Sequence, residues 1–409
     1  MKILFVTGLY PQENIEYFKE ISKGNIQNAP NVFQWAVLDG FYQNSIDLEV
    51  ISFPFLPSFS YNGCSRLYPH AYNLSYMEKK YGIVSSYCTF PLLKSLSIKY
   101  RLRKHVRNWI KKNYDKNEQY VVLLYQPLSY YLTALSQIKK EYKNLTIAAI
   151  VTDLNDDVSN FSSNNKILKR IQLSYEKQII KTIYKLIDKF ILLSPYMVEK
   201  IPEAINKNIV MEGIYSSDNN IKEESQETTE KILLYAGTLQ KFSGVMDLVD
   251  AFTKIDNPDF RLVICGKGFC DSYINEKSKV DSRIVFKGLI DREEVIKLQQ
   301  QAVAVINPRK PTELITRYSF PSKTMEYLAS GTPMIGYKLP GIPEEYYKYY
   351  YTINDCSEET LRQTILNVMS LSNQDLKKKA LSARLFIQNN KSSKVQVKRL
   401  LDFFKTPHS

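Results

Sequence analysis

Residues 232–244 read Ile232-Leu-Leu-Tyr-Ala236-Gly237-Thr238-Leu239-Gln240-Lys241-Phe-Ser-Gly244. Five apolar residues in a row suit a strand buried on both faces. Gly237 ends the run, and Gly244 leads into a helical pattern over Val245–Lys254. A strand, a glycine turn and a helix in succession form part of a βαβ unit, and such a turn can hold an anion on its backbone amides. The alternation continues downstream. Strands are predicted at Arg261–Gly266, Ile284–Lys287, Val303–Asn307 and Met334–Gly336, with helices at Asp271–Val280, Glu293–Ala302 and Pro321–Ser330. Upstream the same pattern predicts strands at Ile3–Thr7, Leu48–Phe53, Tyr120–Tyr125, Thr146–Thr152 and Phe190–Ser194, with helices at Asn31–Tyr42 and Leu128–Tyr142. Short apolar strands separated by helices predict parallel sheets in a doubly wound α/β fold.

The 409 residues suggest two or three domains. Residues 216–230 carry almost no apolar side chains and read as a polar linker between a first domain over 1–215 and a second over 231–388. Leu376–Lys405 is predicted to be helical, with 389–409 returning to the first domain.

Fifty-five Lys and Arg against 42 Asp and Glu leave a net charge of +13, which favours anionic partners. Lys94–Lys116 holds nine Lys or Arg and one acid, Asp115. Leu102, Val106, Trp109 and Ile110 fall on one face of that helix and predict inward packing. Its basic residues, with those of a second helix over Lys166–Lys189, point to an anionic membrane surface. No nucleic-acid-binding module is visible, so nucleic acid is not an expected partner. The apolar run Ile3–Val6 is too short for a signal-peptide core, and no stretch approaches the roughly 20 apolar residues of a bilayer span. Five scattered cysteines without a C-x2-C pair read as reduced thiols. The expected location is cytoplasmic, at most peripheral on the inner face of the cell membrane.

Only three histidines occur, His70, His105 and His408, which disfavours metal–histidine and Ser-His-Asp chemistry. There is no Walker phosphate loop and no G-x-G-x-x-G. What remains is anion-binding chemistry in the second half. Pro321 and Ser322 suit a helix start, with the amides of Ser322, Lys323 and Thr324 and the Lys323 cation turned to an anion. Glu326, one turn further, suits paired ribose hydroxyls.

Four segments in order resemble a family. Tyr235-Ala-Gly-Thr-Leu, Leu262-Val-Ile-Cys-Gly-Lys-Gly, Val285-Phe-Lys-Gly-Leu-Ile and Glu326-Tyr-Leu-Ala-Ser-Gly-Thr-Pro-Met-Ile are similar to landmarks of the retaining glycosyltransferases of family four, the glycosyl transferases group 1. Val6-Thr7-Gly8, Thr152-Asp153-Leu154, Leu193-Ser-Pro-Tyr-Met197 and Met211-Glu-Gly-Ile214 resemble its weaker N-terminal landmarks. The Phe320-Pro-Ser-Lys323 block resembles a variant found in bacterial surface-polysaccharide transferases. The resemblance implies a GT-B fold, two Rossmann-like domains facing each other across a cleft. It implies retaining, metal-independent transfer of a sugar from a nucleotide diphosphate sugar, a UDP-sugar above all. The acceptor would be a hydroxyl of a glycan or polyprenyl-linked oligosaccharide in capsule or exopolysaccharide assembly, and no cofactor is expected beyond the donor.

On that resemblance Lys241 and Lys323 would neutralise the diphosphate, with Gly237, Thr238, Ser322 and Thr324 supplying amides or contacts. Gly288, Leu289 and Ile290 would line the base, and Glu326 would hold the ribose. Gly8 would let a loop approach the donor, and Asp153 would orient a sugar hydroxyl. The chain departs from the family at four places. Tyr318 stands where the first Glu of an E-x7-E pair is expected, Thr238 at an Arg, Ser243 at a Lys, and Asp153 at a His. Tyr318 keeps open a non-catalytic partner subunit; a nucleotide-sugar 2-epimerase on the same fold is a further alternative.

Overall fold

The computed structural model describes residues 1–113, 115, 117–154, 182–216 and 230–406. Most of the basic helix expected at Lys166–Lys189, and residues 217–229 of the expected linker, lie outside them. The chain forms two compact units: Met1–Met211 with Gln396–Ser409, and Glu212–Val395. The divisions therefore fall at 211/212 and 395/396, where the sequence pattern suggested 216–230 and 389.

The first unit contains β1 (Lys2–Thr7), α1 (Ile15–Ile21), α2 (Asn28–Gln43), β2 (Leu48–Ser52), β3 (Tyr72–Tyr76), β4 (Lys79–Val84), α3 (Pro91–Lys112), β5 (Tyr120–Tyr125), α4 (Ser129–Glu141), β6 (Leu145–Val151), β7 (Lys189–Leu192) and β8 (Asn208–Val210). The strands form one sheet in the order β3-β4-β2-β1-β5-β6-β7-β8. Every side chain of β5 and β6 is buried, which is why these strands are continuous apolar runs. The sheet is mixed, not purely parallel as expected, because β3 pairs antiparallel with β4 at its edge. Its strand order reverses at β1, which pairs parallel with β2 on one side and β5 on the other.

The second unit contains β9 (Lys231–Ala236), α5 (Val245–Thr253), β10 (Phe260–Cys265), α6 (Asp271–Val280), β11 (Ile284–Gly288), α7 (Arg292–Gln301), β12 (Ala304–Asn307), α8 (Ile315–Tyr318), α9 (Ser322–Ala329), β13 (Met334–Tyr337), β14 (Tyr351–Ile353), α10 (Glu358–Met369) and α11 (Asn373–Lys391). Its sheet runs β11-β10-β9-β12-β13-β14, parallel throughout. That is the Rossmann order 3-2-1-4-5-6, whose ligands bind outside the carboxyl ends of the strands where the order reverses, here between β9 and β12.

The C-terminal helical stretch is broken rather than continuous. α11 ends at Lys391 and α12 (Ser393–Lys405) begins after Ser392, which is extended at φ −65° and ψ 156°. No proline or glycine makes this break. Tyr215 makes it by pairing with the backbone there: its N–H donates to Lys391 C=O at 2.9 Å and its C=O accepts from Ser393 N–H at 2.8 Å.

Candidate functional site

The turn after β9 is fixed from three sides. Gly237 N–H donates to Cys265 C=O at 3.0 Å, and Leu239 N–H donates to Lys267 C=O at 3.2 Å. The Tyr235 hydroxyl donates to Thr238 C=O at 2.8 Å. Two glycines are dictated by crowding. Gly266 has φ +140°, and a Cβ there would lie 1.8 Å from Gly237 O. Gly244 has φ +75°, and a Cβ there would lie 2.1 Å from Pro308 O. The second contact brings the loop after β9 against the loop after β12, at the reversal of strand order.

Lys241, Lys323 and Arg309 are among the cations around this edge. Lys241 opens a 3-10 turn, exposed, with its Nζ 4.4 Å over the Phe269 ring. Lys323 is half-buried at the start of α9 and its Nζ lies 3.2 Å from Glu326 Oε2. Arg309, which sequence reasoning missed, follows β12 with its guanidinium carbon 5.1 Å over the Phe242 ring. Burial lowers the Arg309 pKa from its ordinary value, opposed by Tyr235 and Glu313. A guanidinium keeps its proton in such surroundings, so the shift marks a poorly compensated positive charge. Tyr235 ties Arg309 to the glycine turn, since the same tyrosine feels Arg309 and holds Thr238. A cation thus reaches the turn that carries Thr238 from another strand. Its only sequence signal was Asn307-Pro308-Arg309, an Arg directly after a buried strand.

Glu326 is clasped from both sides. Gln299 Nε2 donates to Oε1 at 3.2 Å while Lys323 holds Oε2. α9 is itself anchored under the glycine turn: the Tyr327 hydroxyl accepts from Ala236 N–H and donates to Ala236 C=O, both at 3.0 Å. The amide expected from Thr324 is unavailable, because it donates to Pro321 C=O at 2.8 Å. The amides of Ser322 and Lys323 take no partner among the described residues, as the opening of a helix requires. Gly288 C=O accepts from Gly266 N–H at 2.7 Å, and beyond it Leu289 is exposed and Ile290 half-buried at the carboxyl end of β11. Tyr318 closes the short helix α8.

Gly8 and Asp153 lie in the first unit. A Cβ on Gly8 would fall 2.3 Å from the Phe55 ring, so packing under Phe55 is what requires the glycine there. Asp153 follows β6 and lines a cavity of about 590 Å³ with Phe55, Lys94, Gln126 and Tyr130. Gln126, also missed from sequence, sits after β5 at φ +64°, a left-handed backbone unusual outside glycine. Its amide donates to Asp153 Oδ2 at 3.3 Å and to the Thr152 hydroxyl. In the same cavity wall Lys94 donates to Leu56 C=O at 2.6 Å, and burial lowers its pKa.

Residues 216–383 match the family described as glycosyl transferases group 1. A 127-residue stretch is 29% identical to N-acetyl-alpha-D-glucosaminyl L-malate synthase of Bacillus anthracis, covering 30% of this chain and 31% of that protein, so the match spans under a third of the relative. Among solved structures, a TarM mutant of S. aureus in complex with fondaparinux, alpha-GlcNAc-glycerol and UDP superposes with a TM-score of 0.59 at 11% identity, covering 99% of this chain and 100% of that one. HepE of Anabaena, in complex with UDP and glucose, superposes with a TM-score of 0.52 at 13% identity, covering 100% of both chains. The chain shares the GT-B fold of these neighbours.

Proposed function

We propose that the protein is a retaining glycosyltransferase that draws on a nucleoside diphosphate sugar, a reading supported by the match of residues 216–383 to the glycosyl transferases group 1 family. The donor is a UDP-sugar, a choice supported by the UDP held in the two fold neighbours. The acceptor is a hydroxyl of a glycan or lipid-linked oligosaccharide in surface-polysaccharide assembly.

The observation that carries this reading is the clasped carboxylate of Glu326 on the same sheet edge as the poorly compensated Arg309. A carboxylate fixed on both oxygens keeps lone pairs for two vicinal hydroxyls. Arg309 and Lys241, with the free amides of Ser322 and Lys323, suit a diphosphate. Leaving-group departure adds negative charge to the diphosphate, and preorganised donors are worth most where charge develops in a shielded site. Leu289 and Phe269, exposed at the ends of β11 and β10, offer an apolar surface to a base. In the first unit Asp153 would orient an acceptor or donor sugar hydroxyl, a reading supported by its hydrogen bond from Gln126 and its place in the wall of the 590 Å³ cavity.

The test is incubation of the purified protein with a panel of UDP- and GDP-sugars and a glycan acceptor, read by NMR of the anomeric proton. Sugar transfer with retention, unaffected by EDTA, is expected. Absence of both transfer and hydrolysis across the panel would overturn the reading. UDP binding without turnover until a second transferase is added would instead favour a partner subunit, as Tyr318 suggests.

A further inference from the structure

Nine of the twenty large apolar side chains exposed among the described residues fall between Phe59 and Tyr100, a small part of the chain. Eight of the nine, all but Met77 in the turn between β3 and β4, come from two neighbouring pieces. The first is the loop over 59–68, in which Tyr61 is 88% and Tyr68 56% exposed. The second is the start of α3, where Leu93, Leu96 and Tyr100, at i, i+3 and i+7, form a stripe up to 70% exposed. The pieces are joined through Thr89: Phe59 N–H donates to its C=O at 2.9 Å, and its N–H donates to Leu67 C=O at 2.8 Å. Phe90 follows directly. The opposite face of α3 is fully used, with Leu102, Val106, Trp109 and Ile110 buried.

The charge around this patch has one sign. Residues 50–113 contain eleven Lys and Arg and a single acid, Glu78. Towards the far end of α3 the charge is spent internally, Arg107 pairing with Glu141 and Lys112 lying 3.6 Å from Glu49. Near the patch it is not. Arg101, which acts on Tyr68, and Lys104 have no carboxylate partner among the described residues, and Lys23 lies 4.5 Å over the Tyr61 ring. No helix among the described residues is long and apolar enough to cross a membrane.

We propose that this face, the 59–68 loop with the first three turns of α3, docks into the interface of an anionic bilayer. Tyr61, Tyr68 and Tyr100 sit at headgroup depth, where aromatic rings with a polar tip are at home. Leu93 and Leu96 reach the acyl boundary, and Arg101, Lys104 and Arg66 meet lipid phosphates. Exposed aromatics interleaved with uncompensated cations fit a lipid headgroup layer better than a protein partner, whose interface core is poor in charge. The geometry changes the expected origin of membrane affinity: insertion of side chains supplies much of it, not the basic helix alone. Lys94, next to Leu93, meanwhile faces the cavity that holds Asp153. Docking here would bring that cavity to the membrane surface, where a lipid-linked acceptor is confined.

The experiment is co-sedimentation of the full chain with vesicles of phosphatidylcholine alone and of phosphatidylcholine with a third phosphatidylglycerol. The wild type should pellet with the mixed vesicles, and 0.5 M salt should weaken binding without abolishing it. The variant Leu93→Ser/Leu96→Ser/Tyr100→Ser keeps every charge and should lose at least tenfold in partition. Arg101→Gln/Lys104→Gln should lose binding only to the anionic vesicles. All these side chains are exposed or half-buried, so circular dichroism and melting temperature should stay at wild-type values. A triple variant that binds like the wild type would sink the proposal, as would a wild type that ignores both vesicles. So would a concentration-dependent dimer in ultracentrifugation that the serine variant dissolves, since the face would then serve a second copy of this chain. None of these outcomes depends on sugar transfer.

Discussion

Arg309 is the residue on which the donor-site reading turns, and its charge makes two opposite predictions. A desolvated guanidinium on Phe242, with Glu313 acting on it but no carboxylate in ion-pair contact among the described residues, is a cost to the free protein and an asset to an anion complex. Arg309→Gln should therefore leave the melting temperature unchanged or raised. The same change should weaken UDP binding by about tenfold or more, the ~1.5–3 kcal/mol of a charge-assisted hydrogen bond, and uridine binding hardly at all. Calorimetry with the two ligands checks this. Equal losses for UDP and uridine would show a general disturbance of the site. Glu326 was legible in the sequence because its neighbours follow it contiguously through Gly331 and Pro333. Arg309 was not, because its meaning depends on Phe242 and Tyr235, brought beside it only by the order of strands. Gln126 was hidden for a similar reason, since a left-handed backbone at a glutamine leaves no sequence mark.

The elements follow hydrophobic pattern closely where strands are buried on both faces. β5, α5 and α6 match the apolar runs and helical stripes within a residue. The pattern fails at the margins. β3 and β4 are an edge pair in which polar residues such as Asn73, Ser75, Lys79 and Lys80 occupy exposed positions, so no continuous apolar run announces them. β8 and β14 are three residues each, too short to carry a period. At this scale two further outcomes are expected. Gly244→Ala must take φ +75° and push a methyl group onto Pro308 O. It should destabilise the second unit by about 1–3 kcal/mol or more and lower UDP affinity, as denaturant melts and calorimetry would show. In α3, burial and then Arg101 and Lys104 hold His105 below its ordinary value near 6.5. The unfolded chain therefore takes up that proton at a higher pH than the folded one, and stability is lost as pH falls through the unfolded value. Denaturant midpoints at pH 7.5 and 5.5 should separate in that sense, and His105→Gln should narrow the gap.

At the scale of the whole molecule, the first unit is discontinuous in sequence. Its last segment is held by Lys189 of β7, whose ammonium donates to Phe403 C=O at 2.8 Å, Thr406 C=O at 2.9 Å and Thr406 Oγ1 at 2.8 Å. Val397, Leu400 and Phe404 are fully buried. Removing residues 396–409 would strip a desolvated cation of all three acceptors and open an apolar face. The expected result is a calorimetric transition of the first unit moved down by more than about 5 °C, or lost, while that of the second unit stays in place. The second unit secures both chain crossings itself. Lys391, nearly fully buried, contacts Glu345 at 2.7 Å and Glu212 at 2.5 Å, and the Tyr346 hydroxyl donates to Glu212 at 2.7 Å.

This discontinuity also sets an order of events during synthesis. A ribosome makes the eight-stranded sheet first, yet Gln396–Lys405, which completes that unit, emerges only after every residue of the second unit. The domain translated first can be finished only after the domain translated second. For that interval β7 and its neighbours present an uncovered apolar surface, the condition under which nascent chains recruit chaperones or aggregate.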